Sequence, residues 1–343
     1  MSRWMPRPRS ARPALFVPQP NPGAIEQIAD LHRQGRTADA ALVQSMIETP
    51  SAVWFTGGSP SDVERRVAAT LAEAGDAVPV LVAYNVPGRD CAQYSVGGAA
   101  TGDDYRAWIQ AFSAGIGDHR VIVILEPDGL ALQPTDCGQP DTYDRVSLIR
   151  GAVDTIRAAN PAAAVYLDAG HSAWHGIAEM AGRLVSAGVA GASGFYLNAS
   201  NYQPTPDLIR YGTSISSCVG QLREGGDCAS APNPASTAAL PSFVIDTSRN
   251  GQGPWSPPTG VYTDPQEWCN PPGRGLGLRP TLDTGGPLVD AYLWIKIPGE
   301  SDGLCLRGTE GPGDPARGVV DPTAGQWFPE MALELARNAV PAS

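Results

Sequence analysis

Seven short apolar runs constrain what this chain can fold into. They are SAVWF (51–55), VPVLVAYNV (78–86), RVIVILEP (120–127), AAVYLDAG (163–170), GFYLNAS (194–200), SFVIDTS (242–248) and AYLWIKIPG (291–299). Most are rich in Val, Ile and aromatic residues and lack strict alternation, the pattern of strands buried on both faces. Segments of helical spacing separate most of them, including SDVERRVAATLAEAG (61–75), DDYRAWIQAFSAGIG (103–117) and YDRVSLIRGAVDTIRAAN (143–160), and PEMALELARNAV closes the chain. Repeated β-then-α units predict a parallel sheet, open or closed into a barrel. No internal repeat or interdomain linker interrupts the pattern. The sequence therefore reads as an N-terminal tail over residues 1–20 followed by one domain over 21–343. A Gly- and Pro-rich loop at 249–286 is long enough to suggest a functional role.

Polar residues gather where these strands end. Asp90 follows the second run and Asp128 the third. Asp168, His171 and Trp174 follow the fourth, Asn198 the fifth, Asp246 and Arg249 the sixth, and Lys296, Glu300 and Asp302 the last. In parallel α/β folds that edge carries the active site. A single Asp after a strand is usually a turn former or helix cap. The same placement after nearly every strand is much harder to explain that way. Aspartates converging on one rim cannot all ionise freely, because like charges raise at least one pKa. One carboxyl can then stay protonated as a general acid while its partners act on water. Such pairs hydrolyse glycosidic bonds. Trp54, Trp174 and Trp268 sit at strand ends or in loops and could each cover the apolar face of a sugar ring. Trp294, inside the last run, is expected in the core.

Other chemistries fit less well. Net charge is −11, from 35 acidic and 24 basic residues, which argues against a nucleic-acid partner. No apolar run approaches the ~20 residues of a bilayer span. The first residues are basic and proline-rich without the apolar stretch of an intact signal peptide. Six cysteines without a C-x-x-C, in a chain with 17% charged residues, suggest disulfides and export rather than zinc. GHSAW (170–174) is one residue short of a nucleophile elbow. Trp174 replaces its final glycine, so a Ser172 nucleophile, and with it a serine esterase, ranks well below the carboxylates. His171 and His175 have the i, i+4 spacing of metal ligands on a helix, but the Glu of H-E-x-x-H is missing and no third carboxylate ligand is evident.

Seven stretches in order, YNVPGRDC, VILEPDGL, YLDAGHSAW, LNASNY, VIDTSRNGQGP, WCNPPGRGLG and LWIKIPGESDG, resemble glycoside hydrolase family six, the inverting endoglucanases and cellobiohydrolases of β-1,4-glucan. The resemblance runs from about residue 50 to the C-terminus. It implies a distorted, partly open (β/α) barrel of about seven parallel strands. It also implies that Asp128 is the general acid, that Asp90 raises that acid's pKa and orders the water, and that Asp302 is the base. Asp168 would support the electrostatics, and Tyr84 would crowd the sugar at the cleavage point. Trp54, Thr56, His171, Trp174, Asn198, Trp268, Lys296 and Glu300 match substrate-binding positions. Cys91 with Cys137 and Cys269 with Cys305 match the family's disulfides, leaving Cys218 with Cys228. Glu126, beside the acid, is expected to be structural.

One departure stands out. Val96 occupies the place of a serine that helps hold the water, so Ser95 or backbone groups would take over, or turnover would fall. The loops suggest an open-cleft endoglucanase, with an exo-acting cellobiohydrolase as the alternative and a catalytically weak glucan-binding protein behind both. The expected protein is a secreted monomer that needs no cofactor or metal and whose partners are β-1,4-glucan and cello-oligosaccharides.

Overall fold

The computed structural model describes residues 13–228 and 240–340, so residues 1–12 of the expected tail lie outside the described residues. Seven strands form one parallel sheet in chain order: β1 (Val53–Phe55), β2 (Val80–Ala83), β3 (Ile122–Leu125), β4 (Ala164–Asp168), β5 (Gly194–Leu197), β6 (Ser242–Asp246) and β7 (Val289–Leu293). The sheet curls into a half-closed barrel. Its two edges meet where the Ala52 N–H reaches the Trp294 carbonyl at 2.9 Å and the Trp54 indole N–H reaches the Ile295 carbonyl at 2.8 Å.

Both faces of the sheet are buried, which is why the strands read as continuous apolar runs. Leu81, Val123, Leu125, Val165, Leu167, Phe195 and Ile245 pack outward into the main core. Val82, Ile124, Tyr166, Tyr196, Val244 and Leu293 fill the barrel interior. Each such side chain contributes at most about 1.5–3 kcal/mol on burial.

Helices cover the outside. They are α1 (Pro22–Arg33), α2 (Thr37–Ile47), α3 (Pro60–Ala74), α4 (Gly102–Ile116), α5 (Arg145–Ala159), α6 (Ile177–Ser186), α7 (Thr205–Arg223) and α8 (Pro329–Arg337). Side chains of Asn21, Ser59, Thr101 and Asp144 cap α1, α3, α4 and α5 by accepting otherwise unpaired backbone N–H groups. None of these helices lies between β6 and β7. The outer side there is closed by α1, α2 and α8, whose apolar faces bury Trp294 and Trp327 in a second core. No helix among the described residues is long and apolar enough to cross a membrane.

Two boundaries differ from the sequence reading. β7 begins at Val289, earlier than the run at 291, because the polar Asp290 lies within it and accepts a hydrogen bond from the Tyr166 hydroxyl at 2.8 Å. Trp294 is in the core as expected but lies just beyond the strand. Ala14–Phe16, within the expected tail, pair in parallel with Val78 through bonds of 2.8 and 2.9 Å.

The close contact of α3 and α4 depends on Gly115. A Cβ there would lie 2.6 Å from the Glu64 carbonyl oxygen and 2.8 Å from the Val67 Cβ. Overpacking of this kind costs about 1–3 kcal/mol. Gly115→Ala should lower stability by that amount in denaturant unfolding, whereas alanine at an unconstrained helical glycine would stabilise.

Candidate active site

The strand ends turn sharply. Asp90, Glu126, Asp128 and Asn198 adopt left-handed φ values of 62°, 49°, 62° and 71°. Non-glycine residues bear that conformation only where surrounding contacts hold it. Here buried carboxylates hold the backbone. Glu126 accepts the Asn85 N–H at 2.8 Å and the Val86 N–H at 2.9 Å. Asp168 accepts the Leu130, Ala131 and Gly170 N–H groups at 3.1, 2.7 and 3.0 Å. Asp246 accepts those of Ser200, Ser248, Ile295 and Lys296 at 2.9–3.2 Å. Glu126, whose carboxyl is pushed up to about 7 by burial against these donors, is structural as expected. Asp168 braces the backbone just beyond Asp128 and also acts on the Asp128 pKa.

Three carboxyls are held differently. Asp128 is half-buried, and its carboxyl takes no hydrogen bond from the described residues. Burial, then Asp168 and Asp90, push its pKa well above the usual range, which keeps it protonated. Asp90 rises to about 6, through burial first and Asp302 last, although the Ser95 N–H at 2.5 Å and Arg89 oppose the shift. Burial also pushes Asp302 upward, but its partners win. Arg249 Nη1 at 2.8 Å, Lys296 Nζ at 3.3 Å and the Asn270 N–H at 3.0 Å hold its pKa below the ordinary value. The rim thus carries a protonated acid, a fixed anion and a group poised between them.

Around these groups, Tyr84 is buried at the end of β2, edge-on to Trp54 with ring centres 5.4 Å apart. The half-buried Trp54 uses its N–H on Ile295. Thr56 is exposed just past β1. Trp174 is 36% exposed and stacks on His175 at 5.5 Å, with His171 tilted beside it. His171 is pushed down to about 4 by burial and His175, so it is neutral near pH 7. Its Nδ1 accepts the Ala173 N–H, which leaves Nε2–H as a donor. Glu300 takes the Asn21 side-chain amide at 3.0 Å, and Lys296 also donates to the Ser301 carbonyl.

Asn198, expected to bind substrate, is engaged by the surrounding backbone. It is fully buried, its amide donates to the carbonyls of Asp246 and Asn201, and its oxygen accepts the Gln203 N–H. These bonds shape the loop after β5.

The rival constellations do not assemble. His171 and His175 lie in a turn ahead of α6, not on a helix, and among the described residues no histidine bonds Ser172. Cys305, Asp314 and Asp321 cluster closely, but Cys305 is bonded to Cys269 and Asp314 is taken up by Arg307 at 2.7 and 2.9 Å, so this is not a free donor set. The other disulfides join Cys91 to Cys137 and Cys218 to Cys228.

Sequence reasoning named Val96 and Arg249 but passed over Tyr94. Val96 is 57% exposed, and it is the Ser95 backbone, not its hydroxyl, that meets Asp90. Tyr94 carries this loop across to the opposite rim. Its hydroxyl lies 3.2 Å from Gln266 and accepts the Leu306 N–H at 3.0 Å, and its ring tilts against Trp268 at 6.1 Å. Gly303 is required beneath it, since a Cβ there would meet the Tyr94 side chain at 2.4 Å. Arg249, which the sequence reading placed on the rim after the sixth run, is fully buried beside Asp302.

The sequence model described as Glycosyl hydrolases family 6 matches residues 10–339. The chain is 37% identical to Endoglucanase A of Thermobispora bispora over 338 residues, covering 97% of this chain and 64% of that protein. It therefore spans less than two thirds of that relative's length. It is 30% identical to a probable 1,4-beta-D-glucan cellobiohydrolase C of Neosartorya fischeri, over 87% of this chain and 70% of that one. Among solved structures, the endoglucanase Cel6 of Mycobacterium tuberculosis, in complex with methyl-cellobiosyl-4-deoxy-4-thio-beta-D-cellobioside, is 41% identical with a TM-score of 0.75, covering 96% of this chain and 98% of that one.

Arg249→Met tests the fixed anion. Removing one partner of a buried pair costs about 3–5 kcal/mol. In the wild type the depressed Asp302 pKa contributes stability above its unfolded value that is lost as pH falls through the folded one. In the variant only Lys296 and the Asn270 N–H still oppose burial, so the Asp302 pKa rises relative to the wild type. The stability gap between wild type and Arg249→Met should therefore narrow on acidification below about pH 4, measured by denaturant unfolding across pH.

Proposed function

This chain belongs to the glycosyl hydrolases of family 6, and from that premise we propose that it is an inverting endo-β-1,4-glucanase acting on cellulose or soluble β-1,4-glucan. The observation that carries the reading is the split on one rim between Asp128, held protonated, and Asp302, held ionised. Asp128 donates its proton to the glycosidic oxygen as the bond to the anomeric carbon breaks. A water attacks that carbon from the opposite face, and its proton passes toward Asp302 and Asp90, directly or through a second water. Inversion needs room for that water between acid and base, ~6.5–9.5 Å in enzymes of this type. Trp54, Trp174 and Trp268 provide aromatic faces for successive glucose rings, and Tyr84 crowds the ring at the cleavage point. His171 Nε2–H, Lys296, Glu300 and Thr56 offer hydrogen bonds to sugar hydroxyls. The three disulfides support a place of action outside the reducing cytoplasm.

A second reading, exo-acting cellobiohydrolase, is favoured by Tyr94, which spans from the Asp90 loop to Gln266 and Leu306 and so covers the cleft at one point. The endo reading is preferred because identity to an endoglucanase, at 37%, exceeds that to a cellobiohydrolase, at 30%.

Viscosity and reducing ends should be followed together on a soluble substituted cellulose. Internal cleavage drops viscosity steeply with few new ends, whereas exo action makes ends with little loss of viscosity. Asp128→Ala should lower turnover by about 10²–10⁴-fold, and the first product formed should be the α-anomer by NMR. A wild type that binds cello-oligosaccharides but releases no ends would overturn hydrolysis in favour of glucan binding.

A further inference from the structure

We propose that Arg145 is a positioning residue for hydrolysis, a buried spacer that sets the distance between Asp90 and Asp128. The proposal rests on the roles given above to those two aspartates.

Arg145 is the first residue of α5 and is 2% exposed. Buried arginines usually meet a carboxylate. The Arg145 guanidinium instead donates to three backbone carbonyls, Pro87 at 2.9 Å, Gly88 at 2.7 Å and Leu132 at 3.0 Å. Two of these belong to the chain entering Asp90. The third belongs to the turn leaving Asp128, where the Leu132 N–H also returns to the Asp128 carbonyl at 2.9 Å. The planar fork thus lies between the two segments and touches both. Its own backbone N–H is fixed by Asp141 at 3.0 Å, which anchors the helix start beneath the site.

The segments so joined are the strained ones, with left-handed φ at both Asp90 and Asp128. Strain of that kind persists only where neighbours over-determine the backbone. Two further ties join the same segments, the Glu126 carboxylate on Asn85 and Val86 and the Cys91–Cys137 disulfide. Arg145 differs from both in being a rigid planar group that lies between the segments and donates to each. Arg145 Nε is buried with no partner, a donor left unused while both ends of the fork are committed. The titratable groups acting on it include Asp141, Glu126, Tyr84 and Tyr105. Its hydrogen bonds to the Asp90 and Asp128 segments all go to backbone carbonyls, so it reaches the two aspartates through the backbone.

The full chain should be compared with Arg145→Lys and Arg145→Met on soluble substituted cellulose, well below each unfolding midpoint. Misplacement of a catalytic group by about 1 Å can cost about 100-fold. Arg145→Met should lower kcat by about 10- to 100-fold with KM within about twofold. Its alkaline pH limb should move to lower pH, because Asp90 acts less on Asp128 once the loops spread. Arg145→Lys, which keeps a cation able to reach one loop at a time, should recover part of kcat. An active wild type with unchanged kcat and pH limbs in both variants, whatever happens to the unfolding midpoint, overturns this proposal alone. Should Arg145→Met fail to fold, unchanged kcat in Arg145→Lys overturns it equally. A wild type that releases no reducing ends overturns the hydrolase reading, and this proposal falls with it.

Discussion

Where parallel strands end, backbone N–H groups that no ladder pairs must find acceptors or remain buried and unpaired. In this barrel buried carboxylates take them. Glu126 serves the segment after β2, Asp168 the turn after β3, and Asp246 the segments after β5 and β7. Each clasp reaches from one strand to a neighbour's loop, so the rim is knitted sideways as well as along the chain. Burying a carboxyl is costly unless its oxygens are satisfied. Satisfying them with backbone donors fixes the loops in turn. The left-handed turns at Asp90 and Asp128 are stable because this rim holds both their sides.

The same burial sets the chemistry. Asp128, Asp90, Asp168, Glu126 and Asp246 are all pushed upward first by loss of water, and what then distinguishes them is the company each keeps. Asp128 has neighbouring anions and, among the described residues, no donor to its carboxyl, so it retains its proton. Asp302 suffers the same desolvation but faces two cations, Arg249 and Lys296, and they outweigh it. Neither outcome is a property of aspartate.

The seven strands were legible because the sheet is buried on both faces, so each strand announced itself as an unbroken apolar run. β7 was misplaced because Asp290 sits inside it, paired with Tyr166 across the barrel interior, and a polar residue there looks like a boundary. The polar rim was legible as a class, yet its members could not be sorted by function. Asn198 and Glu300 both follow apolar runs, and only the folded structure tells that Asn198 is spent on the backbone while Glu300 stays partly open. His171 and His175 had helical spacing, but the helix starts at Ile177. Arg145 and Tyr94 carry no sequence signal at all. One looks like an ordinary helix-start arginine and the other like a loop aromatic, and their importance comes from contacts with segments about 57 and 212 residues away.

Val96 sharpens the question of where the water's proton goes. With that side chain turned to solvent, the loop offers Asp90 a backbone N–H, which can donate but never accept. The acceptor for the water's proton must then be a carboxylate. Asp302 has one oxygen occupied by both Arg249 and the Asn270 N–H and the other facing Lys296. The cations that keep it ionised also make it a poor base. Asp90, at about 6, binds a proton far more readily yet is still largely ionised near neutral pH. Proton transfer is most efficient when the base lies near the working pH. In the proposed reaction Asp302 therefore supplies the constant negative charge that orients the water, and Asp90 is the better matched acceptor. Tyr94 ties the loop that carries Asp90 to Gln266 and Leu306, on the chain segments that flank Asp302 in sequence, and the charge of Asp302 adds to the upward shift of Asp90.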